Sequence, residues 1–240
     1  MESTEVLGAV WAGQIESVRL DVLARRVTLS IVVVDGSRPA GEATSAHQLV
    51  FHGVSSFHWF DIVEGPWLRV EAAEIYAERL AGGHRVSIWL NDDDNRLVVD
   101  TAEATLDGVA VLPRDSADVP AVPAPSPDAR PGALGGLWGG RFESLHIDLP
   151  AKRASLSLLI EPVGDNPLTG PTSHLIVLQE VSSLRLLAAD EAPRGEVFVS
   201  TIQGQTTEEG CRLDFFFDPP GDRLEVHSAS ALADFGKLTL

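Results

Sequence analysis

The stretch Trp11-Ala-Gly-Gln-Ile-Glu-Ser17 recurs as Trp138-Gly-Gly-Arg-Phe-Glu-Ser144, and this recurrence decides the fold. The offset of 127 positions holds without a gap between residues 11–111 and 138–238, with 26 identities in 101 positions. Solenoid repeats are only about 20 to 50 residues long, so a repeat of this length indicates two copies of a whole domain.

Residues 113–137 separate the copies and have the composition of a linker. They hold six prolines and several alanines, with almost no large apolar side chain. Dense proline favours an extended chain that connects domains without joining their cores. The sequence therefore predicts a first β domain at 1–112, this linker, and a second β domain at 138–240 that repeats the first.

Two segments near the start of the first copy, 14–22 and 26–34, alternate between apolar and polar residues, and the second is rich in β-branched residues. This pattern is typical of a β-hairpin with one buried face. The second copy repeats the pattern, so both copies predict the same register. With residues 22–25 as the turn, the opposed pairs are Asp21–Arg26, Leu20–Val27, Arg19–Thr28, Val18–Leu29, Ser17–Ser30 and Glu16–Ile31.

Further strands follow the hairpin. Residues 47–52 predict a third strand, and 85–90 with 96–102 predict a closing hairpin. Residues 68–80 have the spacing of an amphipathic helix, but their counterpart in the second copy is β-branched, so we predict a strand in both. Six or seven antiparallel strands per copy predict a mainly β protein: two homologous β-sandwich or open-barrel domains in tandem.

Charge and composition restrict the partners. The chain has 35 acidic and 18 basic residues, a net charge of −17, and the excess is shared by both copies. Such a charge repels nucleic acid and anionic membranes and favours a basic protein partner. No apolar run is long enough to span a membrane. The acidic N-terminus and the single cysteine, Cys211, predict a cytoplasmic location.

Motifs of known enzyme chemistry are missing from the sequence. There is no Gly-x-Ser-x-Gly elbow, no glycine-rich phosphate loop and no zinc-ligand spacing among the seven histidines. The run Asp92-Asp-Asp-Asn95 suggests calcium, but it lacks the EF-hand pattern and the second copy has Pro-Pro-Gly there. We therefore predict no metal, no cofactor and no enzymatic activity.

One polar pair is a candidate for an alternative function. Glu16 and His47 recur as Glu143 and His174, and both lie on apolar faces by alternation. A buried Glu–His pair would favour a small-molecule-binding or hydrolytic domain. The other interpretation is a hydrogen-bonded structural pair, or two residues at the sheet rim that do not meet.

The copies differ most in their aromatic residues. His58, Trp59, Phe60 and Trp67 occur only in the first copy. Aromatic residues are enriched at binding hot spots, so these four predict a partner-binding site on the first domain. The alternative is that they are larger core residues.

Residues 49–57, Leu-Val-Phe-His-Gly-Val-Ser-Ser-Phe, and 96–102, Arg-Leu-Val-Val-Asp-Thr-Ala, together with the strand order, resemble small bacterial β domains of the immunity-protein type. The resemblance implies binding and neutralisation of a partner protein. Only two lysines against sixteen arginines also favour a bacterial source with a GC-rich genome. The sequence thus predicts a non-enzymatic cytosolic binding protein, with a structural or assembly protein as a further alternative.

Overall fold

The structure, a computed structural model, describes most of the chain outside the linker. The described residues are 7–34, 44–61, 66–91, 95–113, 137, 139–160, 171–188, 195–208, 210–218, 221–234 and 236–237. Nearly all of the predicted linker, and the aspartates 92–94, therefore lie outside them. Among the described residues, no helix has the length and apolar character needed to cross a membrane.

The described chain is mainly β, with one short 3-10 helix at Gly8–Val10. Among the described residues, the first segment, 1–112, contains nine strands and the second segment seven. Those of the first segment are β1 (Gln14–Asp21), β2 (Arg26–Val34), β3 (Thr44–His52), β4 (Ser56–Phe60), β5 (Ala72–Leu80), β6 (Gly83–Leu90), β7 (Arg96–Thr101), β8 (Glu103–Leu106) and β9 (Val109–Leu112). Those of the second segment, residues 138–240, are β10 (Arg141–Asp148), β11 (Arg153–Ile160), β12 (Thr172–Leu187), β13 (Phe198–Thr207), β14 (Gly210–Asp218), β15 (Arg223–Ala233) and β16 (Gly236–Lys237).

The first hairpin forms in the predicted register from Asp21–Arg26 to Ser17–Ser30. The exception is Glu16, which sits in a β-bulge, so Ile15 instead of Glu16 lies opposite Ile31. A bulge adds one residue to a strand and reverses the facing of the residues beyond it. The predicted pair Glu16–Ile31 is therefore wrong, and Glu16 is exposed.

Residues 72–80 form a strand, as the comparison of the copies predicted. Strand β5 pairs with β6 through nearly its whole length, and its second-segment counterpart β13 pairs with β14. Helical spacing of apolar residues was misleading here, because sheet pairing determines the local structure.

Strands of the two segments begin at positions related by the offset of 127. Four such pairs are β1 with β10, β2 with β11, β6 with β14, and β7 with β15. The long strand β12 covers the counterparts of β3 and β4, and β15 covers those of β7 and β8. The kink at Gly53 and the break at Ala102 therefore divide strands that run continuously in the second segment.

Within each segment the hydrogen bonds return to the first strand. In the first segment, Ala12 N–H donates to the carbonyl of Ala72 (2.9 Å) and Ile15 N–H to that of Val70 (2.7 Å). In the second segment, Phe142 N–H donates to the carbonyl of Val197 (2.8 Å). The strands of each segment therefore form a closed ring. An open barrel was one of the two architectures predicted from the sequence, and these bonds close it.

The two rings are joined into one antiparallel sheet. Strand β1 pairs with β10, and β4 pairs with β12. One consequence is a run of eight neighbouring strands that crosses both segments, in the order β5-β6-β7-β4-β12-β15-β14-β13. A single cluster of buried apolar residues fills the interior and draws on both segments.

Candidate binding face

The eight-stranded run presents a surface centred on the junction of β4 and β12. His58 lies opposite Arg185 at this junction, and the two positions are 127 apart. Alternation places their neighbours, Phe57 and Trp59, in the core and turns His58 and Phe60 outward. We call this surface the central face. Its defining residues are His58, Phe60, Trp89, Arg96, Arg185, Phe216 and Arg223.

Two arginines on the central face lie against aromatic rings. The guanidinium carbon of Arg96 is 5.7 Å from the ring centroid of Trp89, and that of Arg223 is 5.2 Å from Phe216. Both contacts occur between directly opposed residues of neighbouring strands. An exposed cation–π contact is worth about 0.5 to 1 kcal/mol, so each pair holds a flat apolar surface with a charged edge in place.

His58 is the polar centre of this face. Its Nε2 lies 3.2 Å from the Ser183 hydroxyl, and its ring meets Phe60 edge-on at 6.2 Å between centroids. Burial lowers the pKa of His58, and the positive charges of Arg185 and Arg96 lower it further, against a smaller opposing effect of Glu225. The imidazole is therefore neutral at pH 7, and it acts as a hydrogen-bonding group without a charge.

The charges of the face are unevenly compensated. At the β14–β15 end, Arg223 contacts Asp214 at 2.8 Å and Glu225 at 3.4 Å, and Arg212 contacts the same two carboxylates at 3.1 and 3.2 Å. Within the described part of the chain, no ion pair joins Arg96 or Arg185 to a carboxylate. Glu225 lies directly opposite Arg185 in the β12–β15 pairing, so the centre of the face carries both signs of charge.

The four aromatic-site residues predicted from the sequence lie where the two segments meet. Trp59 is 1% exposed and opposes Leu184 across the β4–β12 pairing, so it belongs to the core. Trp67 is half-buried; its backbone N–H donates to the carbonyl of Pro150 (2.8 Å). Of the four, only His58 and Phe60 lie on the central face, and Phe60 is 37% exposed.

His47 has other partners than the predicted Glu16. Its Nδ1 lies 2.7 Å from an oxygen of Asp107, and its Nε2 lies 2.7 Å from the Ser45 hydroxyl. Asp107 also accepts the backbone N–H of Gln48 at 2.8 Å. Glu16 cannot complete this set, because both ring nitrogens are already engaged.

The second segment carries the same arrangement. His174 Nδ1 lies 2.6 Å from Asp234, its Nε2 lies 3.0 Å from the Thr172 hydroxyl, and Asp234 accepts the N–H of Leu175 at 3.0 Å. Asp107 and Asp234 both have positive φ and bond back to the strand that carries the histidine. We call the two sets the twin clamps, because each fastens a tight turn to the neighbouring strand. The counterpart of Glu16, Glu143, instead accepts a hydrogen bond from Ser157 at 3.0 Å.

The carboxylates of the twin clamps have shifted pKa values. The pKa of Asp107 is lowered, first by the N–H of Gln48 and then by His47. The pKa of Asp234 is lowered, first by His174 and then by the N–H of Leu175. Hydrogen bonds to a carboxylate favour its charged form. Both aspartates are therefore ionised at neutral pH.

The sequence analysis did not identify Asp107 as the partner of His47, although the two copies have the same residue at this position, Asp107 and Asp234. Sixty positions separate Asp107 from His47, and only the β3–β8 pairing brings them together. It also missed Arg96, identical in both copies as Arg223. The retained arginine beside an aromatic residue in each closing hairpin was the available signal.

The described residues contain no group of three or more His, Cys, Asp or Glu side chains able to hold a metal ion. Cys211 is buried, with its sulfur 3.3 Å from the Ser228 hydroxyl. The central face thus offers arginine, imidazole and aromatic groups for binding, and the twin clamps offer hydroxyl, imidazole and carboxylate.

Comparison of the chain with protein-family models, with curated proteins and with solved structures finds no match.

Proposed function

We propose that this protein is a non-enzymatic binding protein whose central face engages a partner protein. One observation carries the proposal: arginine and aromatic side chains that are exposed or half-buried share a continuous eight-stranded surface. Arginine and tryptophan are the residues most enriched at interface hot spots. A broad sheet face holds these side chains rigidly, so they lose little conformational entropy when a partner docks.

The net charge supports a basic partner. The chain carries −17, and a field of this size raises the encounter rate of a basic protein without contributing close contacts. The aromatic side chains and the acidic groups of the central face, Asp214 and Glu225, then form the contacts after the encounter. A cytoplasmic location accompanies the proposal, supported by the single, buried cysteine.

We further propose that the two segments are homologous domains of a tandem duplication. The 26 identities at one offset support it, and so do the matching strand starts and the twin clamps. The linker then connects two ancestral copies. On this proposal the central face arises from parts of both copies.

Site-specific photo-crosslinking tests the proposed face. A photoreactive phenylalanine at position 60 should crosslink one partner in lysate of the source organism, and a matched probe at Val50, on the outside of β3, should not. Arg96→Ala should then weaken binding of that isolated partner by at least tenfold, while loss of the Trp89 contact lowers the melting temperature by no more than about 4 °C. Equal crosslinking from both positions, or unchanged affinity of the arginine variant, would contradict the proposal.

A second candidate function is hydrolysis at the first clamp. The observation that favours it is the order of groups, because the Ser45 hydroxyl, His47 and Asp107 follow one another at 2.7 Å, as in an acyl-transfer site. A fluorophosphonate probe distinguishes the candidates. Labelling that Ser45→Ala abolishes and Thr172→Ala spares would support hydrolysis, whereas an unlabelled protein would leave the clamp with a structural role.

A further inference from the structure

We propose that the second segment is itself the binding partner of the first, and that the two remain associated without the linker. The occupant of the surface around Trp59 and Trp67 is then residues 138–240 of the same chain. This proposal is independent of the external partner assigned to the central face.

Backbone pairing between the segments is reciprocal. Asp61 N–H donates to the carbonyl of Ser182 (2.9 Å), and Ala188 N–H donates to that of Ser55 (3.0 Å). Each bond is the counterpart of the other at the offset of 127. The β1–β10 pairing is centred in the same way, since Arg19 lies opposite His146. Reciprocal contacts of this kind are those of a two-fold dimer, which associates without a covalent link.

A buried ion pair joins the segments at one end of the interface. Lys152 Nζ lies 3.0 Å from the carboxylate of Asp61, and their side chains are 4% and 1% exposed. The same ammonium lies 5.4 Å from the ring centroid of Trp67. Removing one partner of a buried ion pair leaves an uncompensated charge, so this pair penalises any association in which Asp61 is missing.

The counterparts of these residues differ, which disfavours the pairing of two second segments. Arg25 corresponds to Lys152, and Ala188 corresponds to Asp61. Two second segments would place Lys152 against Ala188, which has no carboxylate. A first segment supplies Asp61 at this position, so its pairing with a second segment keeps the buried charge of Lys152 compensated.

The linker then has one physical effect, to raise the effective concentration of one segment near the other. Flexible tethers give effective concentrations of about a millimolar or more. Cutting the linker should therefore make association depend on protein concentration without destroying it.

The test uses the full chain with a protease site inserted between Pro125 and Pro127 and cut after folding. The cut protein should elute as one species of the intact mass, 25.7 kDa, at micromolar concentration. Asp61→Asn should weaken association of the cut halves by at least 100-fold. Asp100→Asn removes the same charge from the Arg85–Asp100 pair within the first segment and is the matched control; it should leave association unchanged.

Two outcomes would overturn the proposal: cut halves that separate at micromolar concentration, or equal effects of the Asp61 and Asp100 variants. If Asp61→Asn does not fold, Trp67→Phe replaces it. That change weakens the contact with the Lys152 ammonium and should weaken association about threefold. An unchanged dissociation constant would then contradict the assigned contact.

Discussion

At the residue scale, the carboxylate of Asp107 makes the fold sensitive to pH. Its pKa is lowered in the folded chain by the N–H of Gln48 and by His47. A depressed folded-state pKa means that the contribution to stability is present above the unfolded-state pKa and is lost as the pH falls through the folded-state pKa. The same holds for Asp234. The twin clamps therefore weaken only in acid.

We expect Asp107→Asn to lower the free energy of unfolding at pH 7 by about 1 kcal/mol, since the carboxylate is half exposed. The difference from the parent should shrink as the pH falls toward 3. Urea unfolding at several pH values measures it. Asp218→Asn, at an exposed strand end, is the control and should leave the free energy of unfolding at pH 7 nearly unchanged. A constant difference across the pH range would exclude the clamp as its origin.

Trp59 and Phe60 are adjacent but have opposite environments, which gives a second prediction. Trp59→Ala should destabilise the protein by about 3 to 5 kcal/mol, because it removes a fully buried side chain from the core. Phe60→Ala, on the central face, should cost less than about 1 kcal/mol. Thermal unfolding of the two variants measures this, and similar losses would contradict the assigned environments.

Alternation along the strands was sufficient to predict which residues of the first hairpin face inward. Val18, Leu20, Val27 and Leu29 are all buried. It failed at Glu16, because a bulge shifts the facing of residues and leaves no mark in the alternation itself. The Asp107 clamp was beyond reach for a different reason, since its partners meet only through tertiary pairing.

At the element scale, two glycines allow β6 to approach the end of β7 and β14 to approach β15. Gly83 begins β6 and Gly210 begins β14, and both have positive φ. A Cβ at Gly83 would overlap the Thr101 carbonyl oxygen, and one at Gly210 would overlap that of Ser228. The close approach of backbones therefore requires glycine at both positions.

Gly210→Ala should accordingly destabilise the protein by about 2 to 4 kcal/mol, through strain and overlap together. Gly195→Ala is the matched control, because nothing lies within 4 Å of a Cβ there. Chemical denaturation compares the two variants. Equal stabilities would show that the strand can shift to accept a side chain.

The strands themselves were largely predictable, because each copy corrected the other. The β-branched counterpart in β13 excluded the helix suggested by residues 68–80, and the observed β5 is a strand. Closure of each ring was not predictable. It depends on bonds between residues 12–15 and 70–72 that join distant parts of the sequence and leave no periodic signal.

At the scale of the whole molecule, one apolar cluster spans both segments. A shared core couples the unfolding of its parts. Differential scanning calorimetry should therefore give one transition, with equal calorimetric and van't Hoff enthalpies. Gly210→Ala should move that whole transition. Two peaks, of which only one shifts, would contradict the coupling.

The sequence predicted two copies but did not predict that their strands pair into one sheet. Nothing in either copy's alternation distinguishes a strand edge that faces water from one that pairs with another segment, as β1 and β4 do. The same gap explains the aromatic residues. Trp59 and Trp67 were predicted to bind a partner, and the neighbour they meet is the rest of the chain.

Corresponding residues of the two segments lie opposite each other at two points, one in the β4–β12 pairing and one in the β1–β10 pairing. This arrangement has a consequence for the orientation of a ligand. At a true two-fold axis a residue meets its own copy, so any ligand there sees two equivalent directions. Here His58 meets Arg185 and Arg19 meets His146, which makes the two directions chemically different. A molecule docked across either point meets imidazole on one side and guanidinium on the other, so its two ends are distinguished.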